Sequence, residues 1–289
     1  MKKHRDYFTP LAFLILLVLS LPIIIGYLWL FISTFSERTY GLKPVDINGN
    51  FGGLTLKNWQ FLHNPDIWIV TFNTFILALL MTIGVLVVSA SAGYALSRIK
   101  FPGRKSFLSL TLVLHAFPSI TLLIAIYFVL RFFSHLPVLG SFMGYNTMGG
   151  VILVSLALQL PLGMWLMKGF FDAVSWDIER AALIDGCSRF RTFWNIMVPQ
   201  IRPGIAALSI FSFMTGWSSF LIPYTFLTSG SKAVISTYLN SMMHSDSLSI
   251  QYGVLAAVGL FQLIPILIFY TFNQRYLMKI FSGGSHGGV

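Results

Sequence analysis

Six stretches of this chain contain no aspartate, glutamate, lysine or arginine: residues 10–32, 69–96, 107–130, 148–167, 205–227 and 250–272. Each is at least 20 residues long, and about 20 apolar residues cross the hydrocarbon core of a bilayer as one helix. A chain inside lipid must satisfy its own backbone polar groups, which leaves helices or closed barrels. Runs of this length and evenness predict helices. The expected fold class is therefore all-α: a polytopic membrane protein with six transmembrane helices. Composition agrees, with 56% hydrophobic and 10% charged residues, against about 25% charged in soluble domains. The first run exceeds the 7–15 apolar residues of a signal peptide and no small-residue cleavage site follows it, so it predicts an uncleaved span. Pro22, Pro118, Pro161 and Pro265 fall inside runs, where neighbouring helices can tolerate a kink.

The net charge of +10 would suggest a polyanion partner in a soluble chain. Here the distribution of charge explains it. Fourteen of the nineteen Lys and Arg residues fall in the N-terminal tail, the second and fourth connections and the C-terminal tail; five fall on the other side. The side richer in Lys and Arg is cytoplasmic. Both termini and the fourth connection are expected there, and no nucleic acid is required. All nine acidic residues lie in tails or connections, whereas ion-coupled carriers usually place carboxylates within the membrane. His115 is the one strongly titratable side chain well inside a run, and its plain reading is a hydrogen-bonded packing residue. The single cysteine, Cys187, excludes an intrachain disulfide.

The fourth connection is a polar island. Four of the nine acids stand between Asp172 and Asp185. Ser175 is placed to cap a helix from Trp176, with Asp177 and Glu179 at its positive end. Gly186 suits the left-handed residue that ends a helix, and Ser188 is placed to cap another. Phe190, Phe193, Trp194 and Met197 recur at helical spacing as one apolar face, which Pro199 is expected to stop. Small Ala181 and Ala182 would allow close approach. Such a loop can lie on headgroups, pack on its own chain or fit a cytoplasmic partner. A helix-turn-helix for DNA is improbable between two spans.

The spacing resembles the EAA loop of permeases in binding-protein-dependent ABC importers: E-A-A, three residues, G, nine residues, I-x-L-P. Ala181, Ala182 and Gly186 fill their places, as do Ile196 and Pro199, with Val198 in the leucine position. Arg180 stands where that family has Glu, and Glu179 precedes it. "SAGYALSRIKFPGRK" (91–105), "FMTGWSSFLIP" (213–223, with Ser218 after Trp217 where Asn is common) and "NQRYLMKIFSGG" (273–284) resemble the carbohydrate, maltose-type branch. The resemblance implies the type I importer permease fold, with residues 1–68 as tail, first helix and outer connection and 69–289 as the core. It also implies a coupling loop at 168–203 and a cytoplasmic tail at 273–289. Implied partners are a second permease, an ATPase dimer, an external binding protein and a carbohydrate. No G-x-x-x-x-G-K-[ST] phosphate loop occurs, so ATP and Mg are expected on the partner ATPase, with no cofactor, metal or catalytic residue here. Glu179, Arg180, Ala181, Ala182, Asp185 and Gly186 would contact or couple to the ATPase, and Ser282, Gly283 and Gly284 of the tail would reach it.

A translocation pathway needs polar or aromatic walls. Ser212, Thr215, Trp217 and Ser219 in the fifth run are its candidates; small residues also recur where helices merely pack, and tryptophans anchor at interfaces. Two other readings exist. "GWSS" (216–219) matches the G-x-S of rhomboid-type intramembrane proteases, but such a serine needs a base and the sixth run has no histidine. A non-transporting scaffold would leave the EAA spacing unexplained.

Overall fold

The computed structural model describes residues 8–46, 48–243 and 252–283. Helix α1 (Phe8–Thr34) leads into a small antiparallel hairpin, β1 (Arg38–Tyr40) and β2 (Lys43–Val45), and a 3-10 turn at Lys57–His63. Then come α2 (Pro65–Arg98), α3 (Arg104–Ala116), α4 (Leu123–Ser134), α5 (Leu139–Met143) and α6 (Met148–Asp172). The polar island forms α7 (Trp176–Ile184), α8 (Arg189–Thr192), a π turn (Phe193–Met197) and α9 (Val198–Gln200). The rest is α10 (Arg202–Trp217), α11 (Leu221–Phe226), α12 (Ile235–Met243) and α13 (Tyr252–Gly283).

Among the described residues, four helices are long and apolar enough to cross a membrane: Ala12–Thr34 of α1, all of α2, all of α6 and Tyr252–Phe272 of α13. Counting each of two bent pairs as one span brings the number up to six. The first two residues of the sixth expected run, Ile250 and Gln251, lie outside the described residues. Two expected spans are not single rods. The third bends by 97° between Ala116 and Ser119. Pro118 disfavours a helical Phe117, and Phe117 is extended, at φ −72° and ψ 130°. The fifth stops after Trp217, three residues before α11; a further bend of 78°, where α9 meets α10, lies just ahead of that run. Pro223 explains the stop after Trp217. Its ring collides with the carbonyl four residues back, and it has no N–H to offer that group. That carbonyl belongs to Ser219, and the Ser236 hydroxyl donates to it at 2.5 Å.

The chain divides into two units, one of Met1–Ile67 with Leu239–Ile264 and one of Trp68–Tyr238 with Pro265–Val289. In the first, the Asn58 amide donates to the carbonyls of Ser33, Thr34 and Ser36 at 3.2, 3.1 and 2.9 Å. It thereby closes the C-terminal end of α1, whose last carbonyls have no partner within the helix. The flanks of α1 are bare and apolar, as at Phe13, Leu16 and Leu19, which suits a helix surrounded by lipid or partner helices. In the second unit, Met81 and Val85 of α2, Met167 and Phe171 of α6, Phe193 and Met197 of the π turn and Leu208 of α10 share one buried cluster. A second cluster joins Leu77, Leu130, Val151, Val154, Ile222 and Phe226.

Candidate functional site

The polar island folds around its caps. The Asp177 amide donates to Ser175 Oγ at 3.2 Å and the Arg191 amide to Ser188 Oγ at 3.3 Å. Gly186 has φ +84°. The Cys187 amide reaches back to the Ala182 carbonyl at 3.0 Å and the Gly186 amide to that of Leu183 at 3.2 Å. This is the paired 6→1 and 5→2 closure that a left-handed glycine permits.

The apolar set Phe190, Phe193, Trp194 and Met197 is divided between two surroundings: Phe193 and Met197 are buried, while Phe190 and Trp194 are exposed. Two details depart from expectation. Pro199 does not stop the helix, which runs on to Gln200. The widened π turn directly before it relieves the clash that its ring would make with the Asn195 carbonyl. Only one of the two alanines is used for close approach, since Ala182 is buried and Ala181 exposed.

Helix α7 buries only Glu179 and Ala182. Glu179 Oε2 lies 2.8 Å from Arg98 Nε, with side-chain exposures of 4% and 1%. That N–H is not aimed along the contact, so the pair is held by charge rather than by a directed hydrogen bond. The other oxygen, Oε1, accepts from the Tyr94 hydroxyl at 2.6 Å. Arg98 also donates through Nη2 to the Val174 carbonyl at 2.7 Å and stacks its guanidinium 4.6 Å from the Trp176 ring. The adjacent Ser97 donates to Asp172 at 2.6 Å, and Lys168 pairs with the same carboxylate. The C-terminal end of α2 therefore grips the end of α6 and the start of α7. Arg180, by contrast, is exposed and only 4.0 Å from the exposed Asp177. Asp185 and Gly186 are exposed as well. Sequence reasoning missed Arg98 and Tyr94. Both stand in the quoted 91–105 segment, but nothing in one sequence pairs them with a residue about 80 positions away.

The second feature is a cavity of about 410 Å³ within the larger unit. Two of the residues singled out from the fifth run, Thr215 and Ser219, border it. The other two are packed inside. Ser212 is fully buried, and Trp217 is buried against Phe213 with ring centroids 5.8 Å apart. Five polar residues not among those candidates also line the cavity: His115, Ser119, Ser155, Gln159 and Ser218. Gln159 carried a usable signal, as the only amide side chain in the 148–167 run. Of the tail candidates, Ser282 and Gly283 end α13, and Gly284 lies outside the described residues.

The sequence profile of the binding-protein-dependent transport system inner membrane component matches residues 86–280. Three relatives align along nearly the whole chain. The diacetylchitobiose uptake system permease protein NgcG of Streptomyces coelicolor is 29% identical, over 96% of this chain and 89% of its own length. The sulfoquinovosyl glycerol transport system permease protein SmoH of Agrobacterium fabrum is 27% identical, over 96% and 94%. The maltodextrin transport system permease protein MdxG of Bacillus subtilis is 27% identical, over 96% and 95%. Among solved structures, a chain of a bacterial ABC transporter that imports the acidic polysaccharide alginate superposes with a TM-score of 0.76 at 18% identity, covering 96% of this chain and 99% of that one.

Proposed function

The chain belongs to the family of binding-protein-dependent transport system inner membrane components, and we propose that it works there as one of two permeases of an ATP-driven saccharide importer. Transport is the work of this family, and peptide hydrolysis at Ser218 is set aside. The observation that carries the saccharide reading is full-length similarity to permeases named for diacetylchitobiose, sulfoquinovosyl glycerol and maltodextrin.

In this reading α7 and α8 are the knob that enters the ATPase. Arg180, Ala181, Asp185 and Gly186 offer the outward surface, while Glu179 and Ala182 tie it to the permease. ATP and Mg reside on the ATPase, and closure of its dimer moves the knob. Because α7 is bound to α2 through Arg98 and Tyr94, and α2 to α6 through Ser97 and Asp172, its displacement is passed on as a rigid-body rearrangement. Ser282, Gly283 and Gly284 extend the contact from the end of α13. In proteoliposomes holding both permeases, the ATPases and the binding protein, we expect ATP-dependent uptake of a saccharide. Deleting residues 282–289 should cut that uptake with the chain still inserted. Wild-type vesicles inert towards every saccharide would sink the reading; unchanged uptake after the deletion would sink the tail contact alone.

The orientation proposed from the Lys and Arg distribution puts both termini and the coupling loop in the cytoplasm. A cysteine engineered at Asn48 should then react with a membrane-impermeant maleimide added outside, and one at Ser188 should not. Labelling at Ser188 in intact cells would reverse the topology.

A further inference from the structure

Both breaks in the spans open onto the same cavity. Phe117 and Ser119 flank the first, Ser218, Ser219 and Phe220 make the second, and all five line it. Non-helical backbone at membrane depth persists where it is buried in protein or borders a wet cavity, and interrupted helices are where transporters build binding sites. Across from the breaks, α6 contributes Ser155 and Gln159. Each is 6% exposed, and neither Ser155 Oγ nor Gln159 Nε2 has a hydrogen-bond partner. Buried polar groups are normally paired. Two unpaired ones on the wall of a cavity of this size, within the range of about 300–1,000 Å³ for small-molecule sites, point to a ligand that supplies the partners.

The wall also says what kind of ligand. It holds no Lys, Arg, Asp or Glu. An anion taken from water into this site would meet no counter-charge, a large cost. Hydroxyl groups suit it better, because each donates and accepts and so can meet an amide N–H and a serine Oγ together. The Phe117 and Phe220 rings add apolar faces for the C–H side of a sugar ring. Resting on the saccharide-importer reading above, we propose that this cavity is a subsite for an uncharged sugar unit, and that this permease itself contacts the substrate through Gln159 and Ser155.

The test uses the complete complex, with its second permease, ATPases and binding protein, trapped with ATP and vanadate. The probes are diazirine-tagged trehalose, maltotriose and diacetylchitobiose, with a tagged glucuronyl disaccharide as the anionic counterpart. At least one neutral probe should label this chain within residues 148–172 or 202–226, and the anionic probe should not. Joint substitution of Gln159→Leu and Ser155→Ala should lower that labelling roughly tenfold, as expected for losing one or two hydrogen bonds. The wild-type map stands even if the variant assembles poorly. Label confined to the second permease, labelling of these segments by the anionic probe, or undiminished label in an assembled variant overturns the subsite and leaves the importer reading intact. Failure of every neutral probe to label either permease overturns the neutral-saccharide reading itself, and the subsite with it.

Discussion

Glu179→Gln should abolish stimulation of the ATPases by loaded binding protein, by tenfold or more, while the chain still inserts and pairs with its partners. Glutamine keeps the shape of the side chain and can still accept from the Tyr94 hydroxyl. It removes the only carboxylate in contact with Arg98, whose side chain is 1% exposed. Removing one partner of a buried pair costs about 3–5 kcal/mol, because the other charge is left desolvated. The cheapest relief is for α7 to lift away and let water reach the guanidinium, since α7 buries nothing else but Ala182. A lifted helix cannot transmit closure of the ATPase dimer. The loop should also become more sensitive to trypsin at Arg180. Stimulation within twofold of wild type would mean that the anchor does not position the coupling helix. A double variant sharpens the test. Arg98→Met with Glu179→Leu replaces the whole pair with apolar groups, an exchange that is often neutral or stabilising. It should therefore recover more stimulation than either single change, which is the non-additivity expected of contacting residues. Arg180→Ala should leave stability within about 0.5 kcal/mol, as an exposed substitution does. Two adjacent residues of opposite charge are thus predicted to act through different partners.

That division of labour shows where sequence reading succeeded and where it failed. Capping chemistry is local, and Ser175, Gly186 and Ser188 took their expected roles because each acts on amides and carbonyls a few residues away. The direction in which Glu179 points is not local. It depends on Arg98 arriving from α2, so the sequence placed Glu179 in the coupling loop but could not show that it turns inward to a buried partner. The spans show the same limit. Hydropathy reads composition and cannot say whether a rod is continuous. Pro22, Pro161 and Pro265 sit within unbroken helices, whereas Pro118 and Pro223 coincide with breaks. The difference at Pro223 lies in what receives the carbonyl it frees: Ser236, 17 residues on from Ser219, takes it. No window along the chain contains that information, and for the same reason the cavity between the breaks could be read only in part from its serines and threonines.

Gly93→Val should lower both complex recovery and thermal stability, because at Gly93 the C-terminal half of α2 lies directly against the backbone of α6. A Cβ there would lie 2.7 Å from Met167 Cβ and 2.8 Å from the Lys168 amide nitrogen. Backbone atoms cannot rotate aside as a flexible side-chain tip can. The opposing helix answers in kind one turn away, where a Cβ on Gly163 would meet Ser89 Oγ at 2.3 Å. Such reciprocal small residues let helices approach without any hydrophobic drive, which lipid does not supply. Valine would have to push the helices apart. Overpacking of this kind costs about 1–3 kcal/mol, a shift of several degrees in unfolding temperature. The displacement would be greatest just below, where Ser97 meets Asp172 and Arg98 meets Val174 and Glu179, so coupling should fall even in molecules that assemble. Gly169→Val is the control. It lies in the same helix α6, has open space around its Cβ, and replaces glycine by a better helix former. If Gly93→Val and Gly169→Val behave alike in a thermal scan, the close approach of α2 and α6 is not what holds the coupling end together. If only Gly93→Val falls, the grip of α2 on the coupling helix depends on a contact that no larger residue permits.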